Sequence, residues 1–365
     1  MQIRAYFEEW SRRPGERVRM AISTTRPEVR AELRRLITGP GAAGECRIGS
    51  EAVPGVPVIT VAGRIQHSPV GSYARLPLGD GQADGRLSLS CAIWPTLPGK
   101  GPQTVWAIAH SGGTLKLVVA NGRLSLTHDE TLVTSDMPIM ARNWYSVVTT
   151  VGPDGSALDV YLLKGHTRKR EARNEGAGCT IGHPETLMLA STGADASRRA
   201  IDCYNGKIDS PRLYSSILSA GQCRELHLTG ISKVPPSADW LIGGDWSSGM
   251  VKSLIPGVPD GELINGVERG VTGRNWDGRS DSFIETPAQY CALQFHEDDM
   301  VDADWSYDLD FTLPETLKSG VYAVKLSAGE ETEHYPLFVM GAKTEGAPAL
   351  FLASTNTYLA YANDH

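Results

Sequence analysis

The feature that most constrains this chain is a series of short stretches alternating apolar and polar residues, each closed by a glycine- or proline-bearing turn. "RLSLSCAIW" (86–94), "TLKLVVA" (114–120), "RLSLTHD" (123–129) and "ALDVYLL" (157–163) share a period of two. That period sends successive side chains to opposite faces of a pleated strand. "NG" at 121–122 and "DG" at 154–155 stand where hairpins are expected, because both pairs offer residues that tolerate positive φ. Strands with turns every 8–12 residues or so, and scarce helical periodicity, predict a mainly β chain folded as a sandwich. The 39 glycines and 22 prolines supply the punctuation.

A chain of 365 residues predicts two or three domains. The most regular strands run from about 65 to 230 and close on "NGKIDSPRLY", an alternating strand, and "LSAGQCREL", a short helix behind a serine N-cap. Two flanking regions, "PGERVRMAIST" near the start and "DLDFTLPETLKSGVYAVKLSA" with "HYPLFVM" near the end, read as halves of one smaller sandwich. Some 40 residues alone bury too little surface to fold, whereas a compact domain tolerates a large insertion.

Charge and composition exclude several classes. A net charge of −7 leaves no basic field for nucleic acid or an anionic membrane, and "HTRKREAR" (166–173) reads as a solvated loop. No stretch approaches the ~20 apolar residues of a membrane helix. "MQIRAYFEEWSRRPGE" lacks the apolar core of a secretory signal, so a cytoplasmic location is expected. Six cysteines without a CxxC pair fit reduced thiols rather than a zinc site or a disulfide framework.

Local motifs for chemistry are weak. "FHEDDMVDAD" (295–304) gathers His296, Glu297, Asp298, Asp299, Asp302 and Asp304 but lacks an EF-hand loop, so a solvated acidic loop is expected. There is no G-x-S-x-G elbow, no G-x-G-x-x-G and no H-x-x-x-H pair. Trp94, Trp106, Trp144 and Tyr145 could stack a sugar, but tryptophan in a strand is more often core. The facing carboxylates of a glycosidase are not evident.

Two resemblances go further. "LSLSCAIWPT", "GKGPQTVWAI", "RNWYSVVTT" and the closing strand and helix resemble a laminin-G-like or concanavalin-A-like jelly roll, a fold that binds sugars, proteins or nothing. "NGKIDSPRLY", "RGVTGRNWDGRSDSFIETPAQYCALQFHEDDMVDADW", "FTLPETLKSGVYAVKL" and "LASTNTYLAYANDH", with "SRRPGERVRMAIST" and "AELRRLITG", resemble the N-terminal half of the N,N-dimethylformamidase large (beta) subunit family. Arg274 departs from the His or Trp common in that family before "NWDG".

The expected architecture is then a jelly roll (51–235) inserted in a smaller Ig-like β-sandwich (1–50 and 285–343). Connecting loops and short strands fill 236–284, and 344–365 begins an α/β catalytic domain with "APALFLAST" as its first strand.

The resemblance implies an amidohydrolase acting on N-substituted formamides through a mononuclear Fe3+ held by two tyrosines and a glutamate. One of those tyrosines corresponds to Tyr361 in "YLAYAN", and the other ligands lie outside this chain. It also implies as partners the remainder of the large subunit, a small helical subunit, and an oligomer of that heterodimer. On spacing alone Tyr361 reads as a core aromatic. Tyr358, three residues earlier and on the same face if that turn is helical, is a candidate neighbour of the metal and could be the inward tyrosine instead, and Asn363 and His365 are close enough in sequence to be further candidates beside it. The rival reading is a free-standing jelly-roll ligand-binding or scaffold protein without catalysis.

Overall fold

The computed structural model describes residues 3–38, 49–80, 82, 85–163, 170–341 and 349–360, with side chains given up to 357. The chain is mainly β and divides into two units, Met1–His67 with Trp305–His365, and Ser68–Asp304.

In the larger unit one continuous antiparallel path of strands forms both layers of a sandwich. One layer carries Gly113–Ala120, Gln103–His110, Pro184–Leu189 and Tyr73–Pro77; the other carries Gly206–Tyr214, Leu87–Pro95, Tyr145–Gly152 and Gly155–Leu162. Leu76, Trp106 and Leu117 from the first layer meet Leu89, Val147 and Leu158 from the second in a single core. Burying such side chains contributes about 1.5–3 kcal/mol each.

The hairpin at Asn121–Gly122 forms as its sequence requires, with both residues at positive φ (49° and 72°). The second hairpin differs by one position. Gly152 pairs with Gly155, so Pro153 and Asp154 make the loop and Gly155 opens the next strand.

The strand Tyr145–Gly152 is buried on both faces, and the reason is the helix α1 (Ala220–Thr229). Tyr145, Val147 and Val151 face the sandwich core, while Val148 packs with Tyr214, Leu218, Cys223 and Leu226 beneath α1. A capping box starts this helix, with the Ser219 hydroxyl accepting the Gln222 N–H and the Gln222 side chain accepting the Ser219 N–H at 2.8 Å. Gly230 in the left-handed conformation (φ 72°) ends it.

The smaller unit draws on both flanking regions. Arg17–Ser23 pairs with Arg4–Phe7 and Tyr307–Thr312, and Gly320–Ala328 lies between Glu28–Thr38 and Glu331–Val339. Met20, Ile22, Leu33, Leu309, Leu326 and Leu337 fill its core.

The unit boundaries differ from those read in the sequence. Gly49–Ala52 and Ile59–Ala62 both hydrogen-bond to Glu28–Thr38, which brings the segment up to His67 into the smaller unit. Residues 236–284, expected as connecting loops and short strands, and 285–304, expected in the smaller sandwich, belong to the larger unit. Ala238–Leu241, Met250–Ser253 and Gly261–Ile264 bridge the two layers of the larger sandwich, and Ala292–Phe295 pairs with Gly206–Tyr214. Short strands of this kind satisfy backbone groups that an open sheet edge would leave unpaired.

At the far end, "APALFLAST" lacks the neighbouring strands of the sheet it was expected to begin: residues 349–354 form no strand, and 347–348 lie outside the described residues. A strand exists only where a neighbour takes its N–H and C=O groups. Leu350, Phe351 and Leu352 are 93%, 76% and 84% exposed. A short helix, α2 (Thr355–Ala360), follows.

Candidate functional site

Tyr361, Asn363 and His365 lie outside the described residues, and Tyr358 is described only through the backbone of α2. Among the described residues no group of three or more His, Cys, Asp or Glu is placed to hold a metal ion.

What the structure does bring together is the "TGRNWDG" stretch and the strand "NGKIDSPRLY". Asp209 is 2% exposed on that strand. Its Oδ2 accepts the Arg274 backbone N–H at 2.9 Å and its Oδ1 accepts the Ser210 hydroxyl at 2.8 Å. Gly273 permits this approach, since a Cβ there would stand 2.7 Å from Asp209 Oδ2. The loop beyond is tied to itself: the Asn275 amide donates to Ala288 O, Gln289 Oε1 accepts the Asp277 N–H, and Ser280 O accepts both Trp276 Nε1–H and the Tyr290 hydroxyl.

Asp209 reaches this position through a β-bulge. Ser210 has φ 50°, and the pairing with Leu87–Pro95 slips one residue between Asp209 and Arg212. Pro211 sits inside the bulge, where its missing N–H breaks no ladder hydrogen bond.

A charged group lies where α1 ends. Arg212 donates from Nη1 to Gly230 O at 2.7 Å and from Nε to Asp239 Oδ2 at 3.1 Å. The Arg274 guanidinium lies against Gly230, 3.0 Å from where its Cβ would be. Both cations thus meet the negative end of the helix. Burial pulls the Arg274 pKa down while Asp209 opposes the shift, and burial pushes the Asp239 carboxyl up against the pull of Arg212. His227, on α1, bonds through Nδ1 to Ser146 Oγ at 2.9 Å and stacks on Tyr161. Burial, then the Arg274 charge, lowers its pKa to about 4. Ser146 and His227 are 3% and 6% exposed. Enclosed under α1, the pair packs rather than meeting a substrate.

A second histidine pair has a fixed tautomer. Gly112 N–H and Gly182 N–H both donate to His110 Nδ1 at 3.1 Å. The His110 proton must therefore sit on Nε2, which faces His128 Nε2 at 3.1 Å. With that proton in place, His110 Nε2 has no lone pair for a metal.

The acidic loop 295–304 is parcelled into separate partnerships. Asp299 Oδ2 accepts the Ser72 hydroxyl at 2.6 Å and the His296 N–H at 3.1 Å, Glu297 pairs with Lys100, and Asp304 pairs with Arg198 at 2.5 Å. The aromatics considered for sugar stacking are core: Trp106 and Tyr145 are fully buried and Trp144 is 8% exposed. Trp94 is half-buried, with Lys207 Nζ 5.0 Å from its ring centre.

The family model described as "N,N-dimethylformamidase beta subunit-like, C-terminal" matches residues 268–363, a span that takes in this anchored loop. An N,N-dimethylformamidase beta subunit of Paracoccus aminophilus is 33% identical over 406 residues, covering 100% of this chain and 52% of that protein. The chain is related to the N,N-dimethylformamidase beta subunit along its whole length. A beta subunit from Alcaligenes sp. is 32% identical, over 99% of this chain and 52% of its own length. The chain thus spans about half the length of the curated relatives it matches. Among solved structures, a pentraxin from Limulus polyphemus superposes with a TM-score of 0.34 at 14% identity, covering 65% of this chain and 95% of its own.

Asp209, Arg212, Asp239 and His227 were not singled out from the sequence. Pro211 within an alternating strand was the available signal, since proline inside a sheet marks an edge or a bulge.

Proposed function

We propose that this chain is the β-rich, non-catalytic half of a dimethylformamidase-type amidohydrolase large subunit. The observation that carries the reading is the identity of 33% along the entire chain to a protein named as that subunit. In this role the two units frame a catalytic domain, and the exposed Leu350–Leu352 run is covered by it. Tyr361 serves as one phenolate donor to a mononuclear Fe3+ whose other donors come from outside this chain, with Tyr358, Asn363 and His365 beside it. The remainder of the large subunit, a small helical subunit and a cytoplasmic oligomer complete the assembly.

When bound, such an ion would polarise an amide carbonyl and lower the pKa of a coordinated water. This chain's contribution is positional. The anchored loop 273–290 fixes one end of the matched segment, and Tyr361 would hold the cation as a phenolate.

Purification from the native source tests the reading by intact mass, iron content and hydrolysis of N,N-dimethylformamide. The expected result is an iron-bearing assembly larger than 39.4 kDa that releases formate, with Tyr361→Phe lowering bound iron. A lone 39.4 kDa species without iron or formamide hydrolysis would overturn it in favour of a free-standing scaffold.

A further inference from the structure

The smaller unit holds a preformed groove of about 300 Å3 between the strand Gly49–Ala52 with the residues after it and the turn that precedes Gly320–Ala328. That volume is at the lower end of small-molecule sites. Val53, Leu317 and Tyr322 give it an apolar lining, and Tyr322 is 2% exposed. Pro54 and Pro314 stiffen the walls. The turn is closed by Leu317 N–H donating to Pro314 O at 3.1 Å and the Tyr322 hydroxyl donating to Lys318 O at 2.8 Å.

Two cations, Arg35 and Lys318, line this groove, and among the described residues neither holds a carboxylate. Arg35 stands opposite Glu51 in the strand register without an ion pair. Its guanidinium instead lies along Gly320, with Nε 3.8 Å from where a Cβ would be. An unpaired guanidinium beside an apolar floor matches a ligand with a planar anion at one end and a small hydrophobic body at the other. We propose that this groove binds a small carboxylate with an apolar body. Glu51 on the rim works against such a ligand and sets its affinity.

The test is calorimetric titration of the full chain with sodium benzoate, and with benzamide as the uncharged analogue. Benzoate binds, benzamide does not, and raised salt weakens the benzoate. Arg35→Gln with Lys318→Gln weakens benzoate about tenfold or more, as expected from losing charged hydrogen bonds. Glu51→Gln tightens it severalfold. All three side chains are exposed, so an unchanged unfolding midpoint shows that the variants fold. Equal binding of benzoate and benzamide, no binding of benzoate, or a double variant that binds as the parent does would each overturn the proposal. Benzoate carries no amide bond, so those outcomes leave the amidohydrolase reading untouched.

Discussion

Two loops of the larger unit look alike in sequence and are held by opposite means. Residues 273–290 and 296–304 are both polar and devoid of long apolar runs. The first hangs on one buried carboxylate, Asp209, placed by a bulge in a central strand. The second is held by several half-exposed partnerships, each with its own local pair. The difference teaches that charge density says little about a loop's anchoring. What counts is whether its polar groups are withdrawn from water, because a buried group left unpaired costs far more than an exposed one.

The comparison breaks hardest at Asp209. Asp209→Ala leaves the Arg274 N–H and the Ser210 hydroxyl without their buried acceptor, and is expected to cost about 3 kcal/mol in urea unfolding. A cost under 1 kcal/mol would equate the two loops.

Acid should act on the same side of the comparison. The pKa of His227 falls from an ordinary 6.5 to about 4 on folding, so the unfolded chain binds the extra proton between those values. Stability from this group is present above pH 6.5 and declines as pH falls toward 4, by about 3 kcal/mol at most. His227→Gln should flatten that slope, and Arg274→Gln should lessen it by removing one cause of the shift. A slope unchanged in both variants would remove His227 as its source.

On the other loop the effects shrink. Asp299→Ala strips an acceptor from Ser72 and His296 and should cost about 1–2 kcal/mol. Glu297→Gln removes an exposed pair with Lys100 and should cost less than about 1 kcal/mol, with the difference vanishing at high salt. A larger loss at Glu297 than at Asp299 would show that the loop is held at its surface.

Much of the fold was legible because strand signals are local. "TLKLVVA" and "RLSLTHD" name their strands and "NG" their turn, since period and positive φ need no knowledge of distant residues. The serine before "AGQCREL" gave the helix start for the same reason. Long-range facts were hidden. That Ala238–Leu241, Met250–Ser253 and Gly261–Ile264 close the larger sandwich depends on edges made elsewhere in the chain. "APALFLAST" carries a strand's composition but finds no partner among the described residues. The charged group at the end of α1 was invisible because the strand carrying Asp209 and Arg212, the helix carrying His227, and the segments carrying Asp239 and Arg274 lie apart in sequence.

The bulge at Ser210 has one more consequence. Before it, Ile208 faces the sandwich core; after it, Leu213 does, although the two are an odd number of residues apart. Tyr214 therefore turns outward beneath α1, and Asp209 and Arg212 come to share its side. The strand is read in two phases, and Ser210 is the point where the phase changes. Removing that single residue would rotate every downstream side chain to the wrong side, exchanging Leu213 with Tyr214 and taking the Arg212 guanidinium away from the end of the helix.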